Sequence, residues 1–334
     1  MAKAQDIIAK LWNLCNILRE AGITYPEYVT ELTYLIFLKM AEETGTESDL
    51  PQGLRWRDLA TKTGEAQFKF YKNQLDELGR AKVKHVRGIF ADAESALPQP
   101  RFLSLLVQEF DKIDWYSARE ETVLADLYEG LLEKNSAESK SGAGQYFTPR
   151  PLIESIIELI KPSPGEIIQD PACGTAGFLI AADRYVKRVS ANLAKQSSRQ
   201  VTFRREAAFY GVELVQTTCK LALMNAMLHG IEEHIVYGDA LGKEGKALPP
   251  ADVIVTNPPF GTKPGAGLPD RLFPFPTSNK QLAFLQHIYL CLKSGGRAAV
   301  VLPDLQGNLT PKVLCDLMEK CDLHTVLRLP TGIF

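Results

Sequence analysis

Apolar residues recur at helical spacing from the start of the chain. Ile7, Ile8, Leu11, Leu14, Cys15 and Leu18 mark one apolar face, and Gly22 ends that run. A second helix is predicted from Pro26 to Ala41, with Leu32, Leu35, Ile36, Lys39 and Met40 defining its faces. Further helical patterns fall near 66–79, 100–113 and 118–133, and no segment before residue 160 alternates as a strand does. Residues 1–135 are therefore expected to form a helical domain. The polar, small-residue run from Glu133 to Gly144 reads as a linker, within a connecting stretch at 136–150.

After Pro151 the rhythm changes. Short apolar runs are predicted as strands at 166–170, 209–213, 235–239, 253–256, 297–302 and 325–329. Helical patterns separate most of them, at about 151–161, 176–195, 215–229 and 279–293. This alternation predicts an α/β domain over 151–334, with a mostly parallel sheet covered by helices on both faces. Such sheets take their ligands at the carboxyl ends of the strands. The polar residues that close each strand are therefore the place to look for chemistry.

Composition narrows the class only a little. The 334 residues are 45% hydrophobic and 23% charged, enough for about two globular domains. The net charge of −2 is low for a protein that grips long DNA alone. DNA contacts, if made, are then local or shared with a partner. None of the six cysteines forms a C-x-x-C pair, and His229, His234, His287 and His324 show no ligand spacing, so no metal is expected. The N-terminus lacks the apolar block of a signal peptide, and no apolar stretch has the length of a membrane span, so a cytoplasmic protein without a membrane partner is expected.

The first strand runs into Asp170-Pro171-Ala172-Cys173-Gly174-Thr175-Ala176-Gly177. Gly174 and Gly177 permit a tight turn and close approach of a ligand to the backbone. Taken alone, the turn is equally a structural one, since it lacks the Lys-Ser/Thr of a P-loop and the full G-x-G-x-x-G of a dinucleotide site. Strand two ends in Glu213, where a carboxylate can accept both ribose hydroxyls, and strand three ends in Asp239, which can accept from an adenine amino group. Each singly reads as a helix cap or surface charge. Together they outline an adenosine site without phosphate ligands, which suits S-adenosylmethionine better than a dinucleotide.

Strand four ends in Asn257-Pro258-Pro259-Phe260. An exocyclic adenine nitrogen is a poor nucleophile because its lone pair is delocalised into the ring. The Asn257 side-chain oxygen and the Pro258 carbonyl can both accept from its hydrogens and make it more amine-like. The prolines stiffen the loop and remove competing donors. Phe260 offers a stacking face to an extruded base, worth roughly 1–3 kcal/mol. The competing explanation is a rigid strand-end turn.

Asp-Pro-Ala-Cys-Gly-Thr-Ala-Gly-Phe-Leu at 170–179 and Asn-Pro-Pro-Phe at 257–260 resemble amino-group DNA methyltransferases. The chain is more closely similar to the methylation subunit of type I restriction-modification systems. Gly144 to Arg150, Met227 to Ile231, Leu329 to Phe334 and the helical run Glu31 to Met40 match further elements of that family in order. The resemblance implies a Rossmann-like class I methyltransferase domain behind an all-helical N-terminal domain, transferring methyl from S-adenosylmethionine to N6 of a flipped adenine. It puts Gln145, Tyr146, Phe147, Thr148 and Pro149 against the methionine end of the cofactor. Asp170, Pro171, Cys173, Gly174, Thr175 and Gly177 then surround the methionine and ribose, Glu213 holds the ribose, and Asp239 with Ala240 takes the adenine. Asn257, Pro258, Pro259 and Phe260 receive the target base. The implied partners are a specificity subunit that reads the sequence, a restriction subunit and double-stranded DNA. Family members generally continue past the point where this sequence stops at Phe334, so the C-terminal side is short relative to the family.

Several features stay open at this level. The loop 261–281, with Lys263, Arg271, Phe273 and Phe275, reads as a segment closing on base or backbone, against an ordinary loop with packed aromatics. Lys82, Lys84, His85 and Arg87, and separately Arg199, Arg204 and Arg205, read as solvated basic faces. Alternative functions are a non-catalytic assembly or DNA-binding subunit or a fragment of one. An amino methyltransferase acting on cytosine N4, on guanine N2 of RNA or on protein glutamine is a further alternative.

Overall fold

The computed structural model describes residues 10, 13–19, 22–113, 148–192, 197–231, 234–260, 273–303 and 311–330. The expected helix at 118–133, the linker, and Gln145, Tyr146 and Phe147 lie outside them, as do Lys263 and Arg271. The chain divides into two compact units, one of Met1–Ser139 with Leu223–Gly230, the other of Lys140–Ala222 with Ile231–Phe334.

Among the described residues the first unit has helices and no strand before residue 160. Of these residues, 13–19 are helical, as expected, and the helices that follow include α1 (Tyr25–Thr44), α2 (Trp56–Ala60), α3 (Gly64–Gly79), α4 (Lys84–Ile89) and α5 (Pro100–Asp111). Pro26 in the first turn of α1, with Thr24 and Glu27 forming a capping box, sets its start, and Gly45 at φ 75° ends it. The short α2 and α4 were not legible from periodicity, because five or six residues hold too few turns to show it. Helix α1 is buried on all sides from Glu31 to Ala41. Lys39 in that stretch is held by Glu42 at 2.7 Å, Asp111 at 3.0 Å and Glu43 at 3.1 Å. Trp56 donates to the same Asp111 at 2.9 Å and packs on Phe110, while Phe90 stacks on Tyr34. Glu31, 1% exposed, accepts from Ala96 N at 2.8 Å and Ser95 Oγ at 3.1 Å, tying the loop after α4 to α1.

The second unit is an α/β domain around a parallel five-stranded sheet. Its strands are β1 (Ile168–Asp170), β2 (Phe209–Glu213), β3 (His234–Tyr237), β4 (Ala251–Thr256) and β5 (Leu292–Val300). Helices α6 (Arg150–Ile160), α7 (Gly177–Asn192), α8 (Ser198–Glu206), α9 (Gln216–Leu228), α10 (Lys243–Lys246), α11 (Lys280–Cys291) and α12 (Pro311–Lys320) connect and cover it, with the C-terminal part of α9 belonging to the first unit. The order β3-β2-β1-β4-β5 reverses direction beside β1. Connections therefore leave β1 and β4 toward opposite sides and open a crevice at their carboxyl ends.

The expected sixth strand does not form. Residues 322–330 carry no regular structure, and Leu323, Val326 and Leu327 are exposed. Their spacing supplies the apolar content of a strand but not a hydrogen-bonding neighbour, and a strand without a partner leaves its backbone to water. The polar stretch before β2 also differs from its expected solvated face. It folds as α8, with Ser197 accepting from Gln200 N at its cap. Arg204 turns inward to Asp183, whose side chain is 1% exposed and also pairs with Lys187 at 2.9 Å. Arg297 of β5 braces the opposite end of the sheet, with Nη1 and Nη2 on Glu166 at 2.7 and 2.9 Å and Nε on the Ile160 carbonyl at 2.7 Å.

Candidate functional site

The carboxyl ends of β1, β2 and β3 are joined by backbone and carboxylate contacts. Cys173 N donates to Val212 O at 3.0 Å and Gly238 N to Glu213 O at 3.0 Å. Both Glu213 oxygens accept from amides, one from Gly174 N at 3.0 Å and the other from Val215 N at 2.8 Å. Each oxygen retains a second lone pair, so the residue can still accept from a diol. Gly174 sits at φ 54°, and a side chain there would meet nothing within 4 Å, so the space over it is open. The other left-handed residue of the turn is Ala176, at φ 69°, rather than Gly177. Gly177 instead allows a close approach of α6, since a Cβ on it would lie 3.0 Å from Ile153 Cδ1.

Cys173 belongs to the packing under the turn. A Cβ on Gly211 would lie 3.0 Å from its Sγ, so the glycine in β2 makes room for the thiol. Burial pushes the Cys173 thiol well above its ordinary range, with Asp170 and Glu213 adding to it, and burial takes Cys219 up to about 12. Neither is a thiolate at neutral pH.

Asp170, 1% exposed, accepts from Ala172 N at 3.1 Å. Burial, with a smaller contribution from Glu213, raises its carboxyl to about 7 against the pull of the Thr256 hydroxyl and the Ala172 amide. Burial also raises Glu213, opposed by the amides of Val215, Gly174 and Leu214. Two neighbouring carboxyls whose proton affinity burial raises would be relieved by a cation placed beside them, which suits the site to a positively charged ligand. Thr256 closes the strand predicted at 253–256 but is not among the candidate site residues named from the sequence. Its one signal was a hydroxyl closing the apolar run Val253-Ile254-Val255.

Asp239 is exposed and accepts from Leu241 N at 2.9 Å, which shapes the turn after β3. Ala240 is buried with Val212, Leu241, Phe273, Ala283 and Phe284 in one apolar cluster. Phe273 thus packs down at the far end of the 261–281 loop, and Phe275 is clamped by Gln286, which accepts from its N–H and donates to its carbonyl at 2.9 Å each. For Phe273 the packed reading holds, whereas Phe275 is fixed through its backbone.

Asn257 and Pro258 are buried at the end of β4, while Pro259 and Phe260 are half-buried. Asn257 Nδ2 donates to Thr148 Oγ1 at 2.9 Å. Thr148 and Pro149 precede α6, and the Pro149 carbonyl accepts the first amides of that helix, from Leu152 and Ile153. Asn257 Oδ1 is buried and has no partner. A buried acceptor left bare costs about 1–3 kcal/mol, a cost that persists in a site waiting for a donor. The structure thus brings together Thr148, Asn257, Asp170, Gly174 and Glu213 within one unit.

Among the described residues, no group of His, Cys, Asp or Glu gathers as a metal site and no helix is long and apolar enough to cross a membrane. His229 and His234 bond to backbone carbonyls at 2.8 Å, and His234 stacks on Tyr210.

The N-6 DNA Methylase family matches residues 119–334, and the HsdM N-terminal domain matches residues 7–110. The chain is 50% identical over 342 residues to the type I restriction enzyme StySPI methylase subunit of Salmonella potsdam, covering 98% of this chain and 64% of that protein. It is similar in structure to the type I restriction enzyme EcoKI M protein, at 45% identity and a TM-score of 0.54, over 98% of this chain and 64% of that one. A modification subunit of a putative type I restriction enzyme from Vibrio vulnificus YJ016 superposes with a TM-score of 0.81 at 25% identity, over 94% of this chain and 75% of that one. The chain thus spans about two thirds of the length of the StySPI and EcoKI proteins.

Proposed function

This chain belongs to the N-6 DNA methylase family of type I restriction enzyme methylase subunits, and from that premise we propose that it transfers a methyl group from S-adenosylmethionine to N6 of an adenine flipped out of DNA. The observation that carries the reading is the bare, buried Oδ1 of Asn257 at the end of β4. An acceptor held there without a donor suits an amine that arrives with the substrate.

The residues at the strand ends fit the cofactor's chemistry. S-adenosylmethionine, when bound, supplies a methyl group already activated by its sulfonium. Asp170 and Glu213 offer negative charge to a cation, the open space over Gly174 admits a ligand, and Asp239 keeps a carboxylate oxygen for an amino group. Asp170, Pro171, Gly174, Thr175, Glu213, Asp239 and Ala240 are assigned to holding it, together with Gln145, Tyr146, Phe147 and Pro149, while Cys173 supports the turn from beneath. Asn257 Oδ1 and the Pro258 carbonyl accept the two hydrogens of N6 and draw electron density onto the nitrogen. Phe260 supports the base by stacking. As the N–CH3 bond forms, the cofactor's S–CH3 bond would break with its electron pair staying on sulfur, one N6 proton would pass to water, and alignment by these residues rather than a strong base carries the rate.

The chain would act within a type I assembly as the modification subunit, with a specificity subunit reading the sequence and a restriction subunit joining for cleavage of double-stranded DNA. The net charge of −2 agrees with a partner sharing the DNA contacts. The test is methylation of unmethylated genomic DNA with deuterated S-adenosylmethionine, followed by nucleoside mass spectrometry. Labelled N6-methyladenine is expected. Label in N4-methylcytosine alone, or in no nucleoside despite bound cofactor, overturns the assignment.

A further inference from the structure

The contact between Thr148 and Asn257 joins residues 109 positions apart, and both are more than nine-tenths buried. Each immediately precedes a proline, Pro149 in one case and Pro258 in the other. A residue before proline is confined to extended backbone, so neither partner can drift from its element end. Thr148 is held at the start of α6, and Asn257 at the end of β4.

The two ends of an asparagine amide are nearly equal in shape and opposite in hydrogen bonding. Rotating the Asn257 amide by half a turn would present Nδ2 to the substrate nitrogen, donor against donor. A threonine hydroxyl can donate or accept, so it can serve either end of the amide. The substrate amine breaks the tie, because its N–H groups only donate while its lone pair is committed to the methyl group. The amide then has one arrangement that leaves nothing unsatisfied, with Oδ1 toward the amine and Nδ2 on the Thr148 oxygen. Before substrate is present Nδ2 already lies on the Thr148 oxygen and Oδ1 is left unpaired, as that arrangement requires.

We propose that Thr148 is a positioning residue, whose hydroxyl oxygen holds the Asn257 amide with Oδ1 turned toward the substrate amine. This rests on the methyl-transfer reading above and goes beyond the cofactor contact that the family resemblance implies for Thr148. Thr148 acts through Asn257, so its loss affects turnover rather than capture of the cofactor.

The test uses the assembled enzyme, S-adenosylmethionine and unmethylated genomic DNA. Thr148→Val keeps the shape and removes the acceptor, Thr148→Ala removes it without adding atoms, and Thr148→Ser restores it. Expected are a fall in kcat of about tenfold or more for Val and Ala, a much smaller change in S-adenosylmethionine Kd by calorimetry, and recovery of most turnover in Ser. Retained kcat in either Val or Ala, failure of Ser to recover it, or a Kd loss that matches the rate loss overturns the proposal. Asn257→Ala keeps the two levels apart. Wild-type turnover in Asn257→Ala removes the methyl-transfer reading itself, whereas an inactive Asn257→Ala beside an active Thr148→Val removes only the positioning role.

Discussion

Replacing Asp170 by asparagine should stabilise the chain at alkaline pH while weakening its hold on the cofactor. The carboxyl is raised by burial from 3.8 to about 7, so the folded state keeps a proton that the unfolded chain releases. At about 1.4 kcal/mol per pH unit, that difference sets a ceiling of about 4 kcal/mol. The sign follows from the raised value: the favourable contribution is whole below 3.8, is lost as pH climbs toward 7, and is gone above it. Asparagine keeps the acceptor for Ala172 N, and its amide can donate to the Thr256 hydroxyl, yet it carries no charge to bury. Denaturant midpoints followed by circular dichroism, from about pH 5 to pH 8, should show Asp170→Asn gaining on the wild type up to about pH 7 and holding a constant lead beyond it. Saturating S-adenosylmethionine should narrow or reverse that lead, because the cation favours the ionised aspartate. A gap between the two proteins that stays the same from about pH 5 to pH 8 refutes the argument, since a permanently ionised Asp170 has no proton to give up.

The remaining expectations concern single contacts. Glu31→Gln should remove a similar pH dependence from the helical unit, because burial raises Glu31 to about 7 and its stabilising proton is lost as pH rises from 4.5. All three tryptophans of the sequence precede residue 140 and Trp56 is buried in that unit, so tryptophan fluorescence follows its unfolding, and an unchanged pH profile in the variant counts against the assignment. Asp183→Ala should cost about 1–3 kcal/mol in urea denaturation by leaving the half-buried Arg204 without its carboxylate, and a cost under about 1 kcal/mol would show the pair to be solvated. Gly211→Ala should cost about 1–3 kcal/mol through overlap with Cys173 Sγ, and Cys173→Ala in the same chain should return part of it. Independent, additive losses in the double variant would rule out that contact as the cause.

What the sequence determined by itself was everything local. Helical spacing marked α1, α3 and α5, strand–helix alternation marked β1 to β5 with α6, α7, α9 and α11 but not α8 or α10, and a distinct residue closed each strand that carries the candidate site. Asp170, Gly174, Glu213, Asp239 and Asn257 could be named because each follows an apolar run, where a parallel sheet presents its ligands. The tertiary structure decided which of them act on one another. Only the placement of β4 beside β1 brings Thr256 to Asp170 and sets that carboxyl's hold on its proton. Only the packing of α6 brings Thr148 to Asn257 and leaves Oδ1 bare. Arg204 on Asp183 and Arg297 on Glu166 were likewise invisible as pairs. Residues 325–329 show the converse, a strand-like pattern that forms no strand. Periodicity records which side of a segment avoids water, a property of adjacent residues. Hydrogen-bond partners, burial and proton affinity depend on what arrives from elsewhere in the chain.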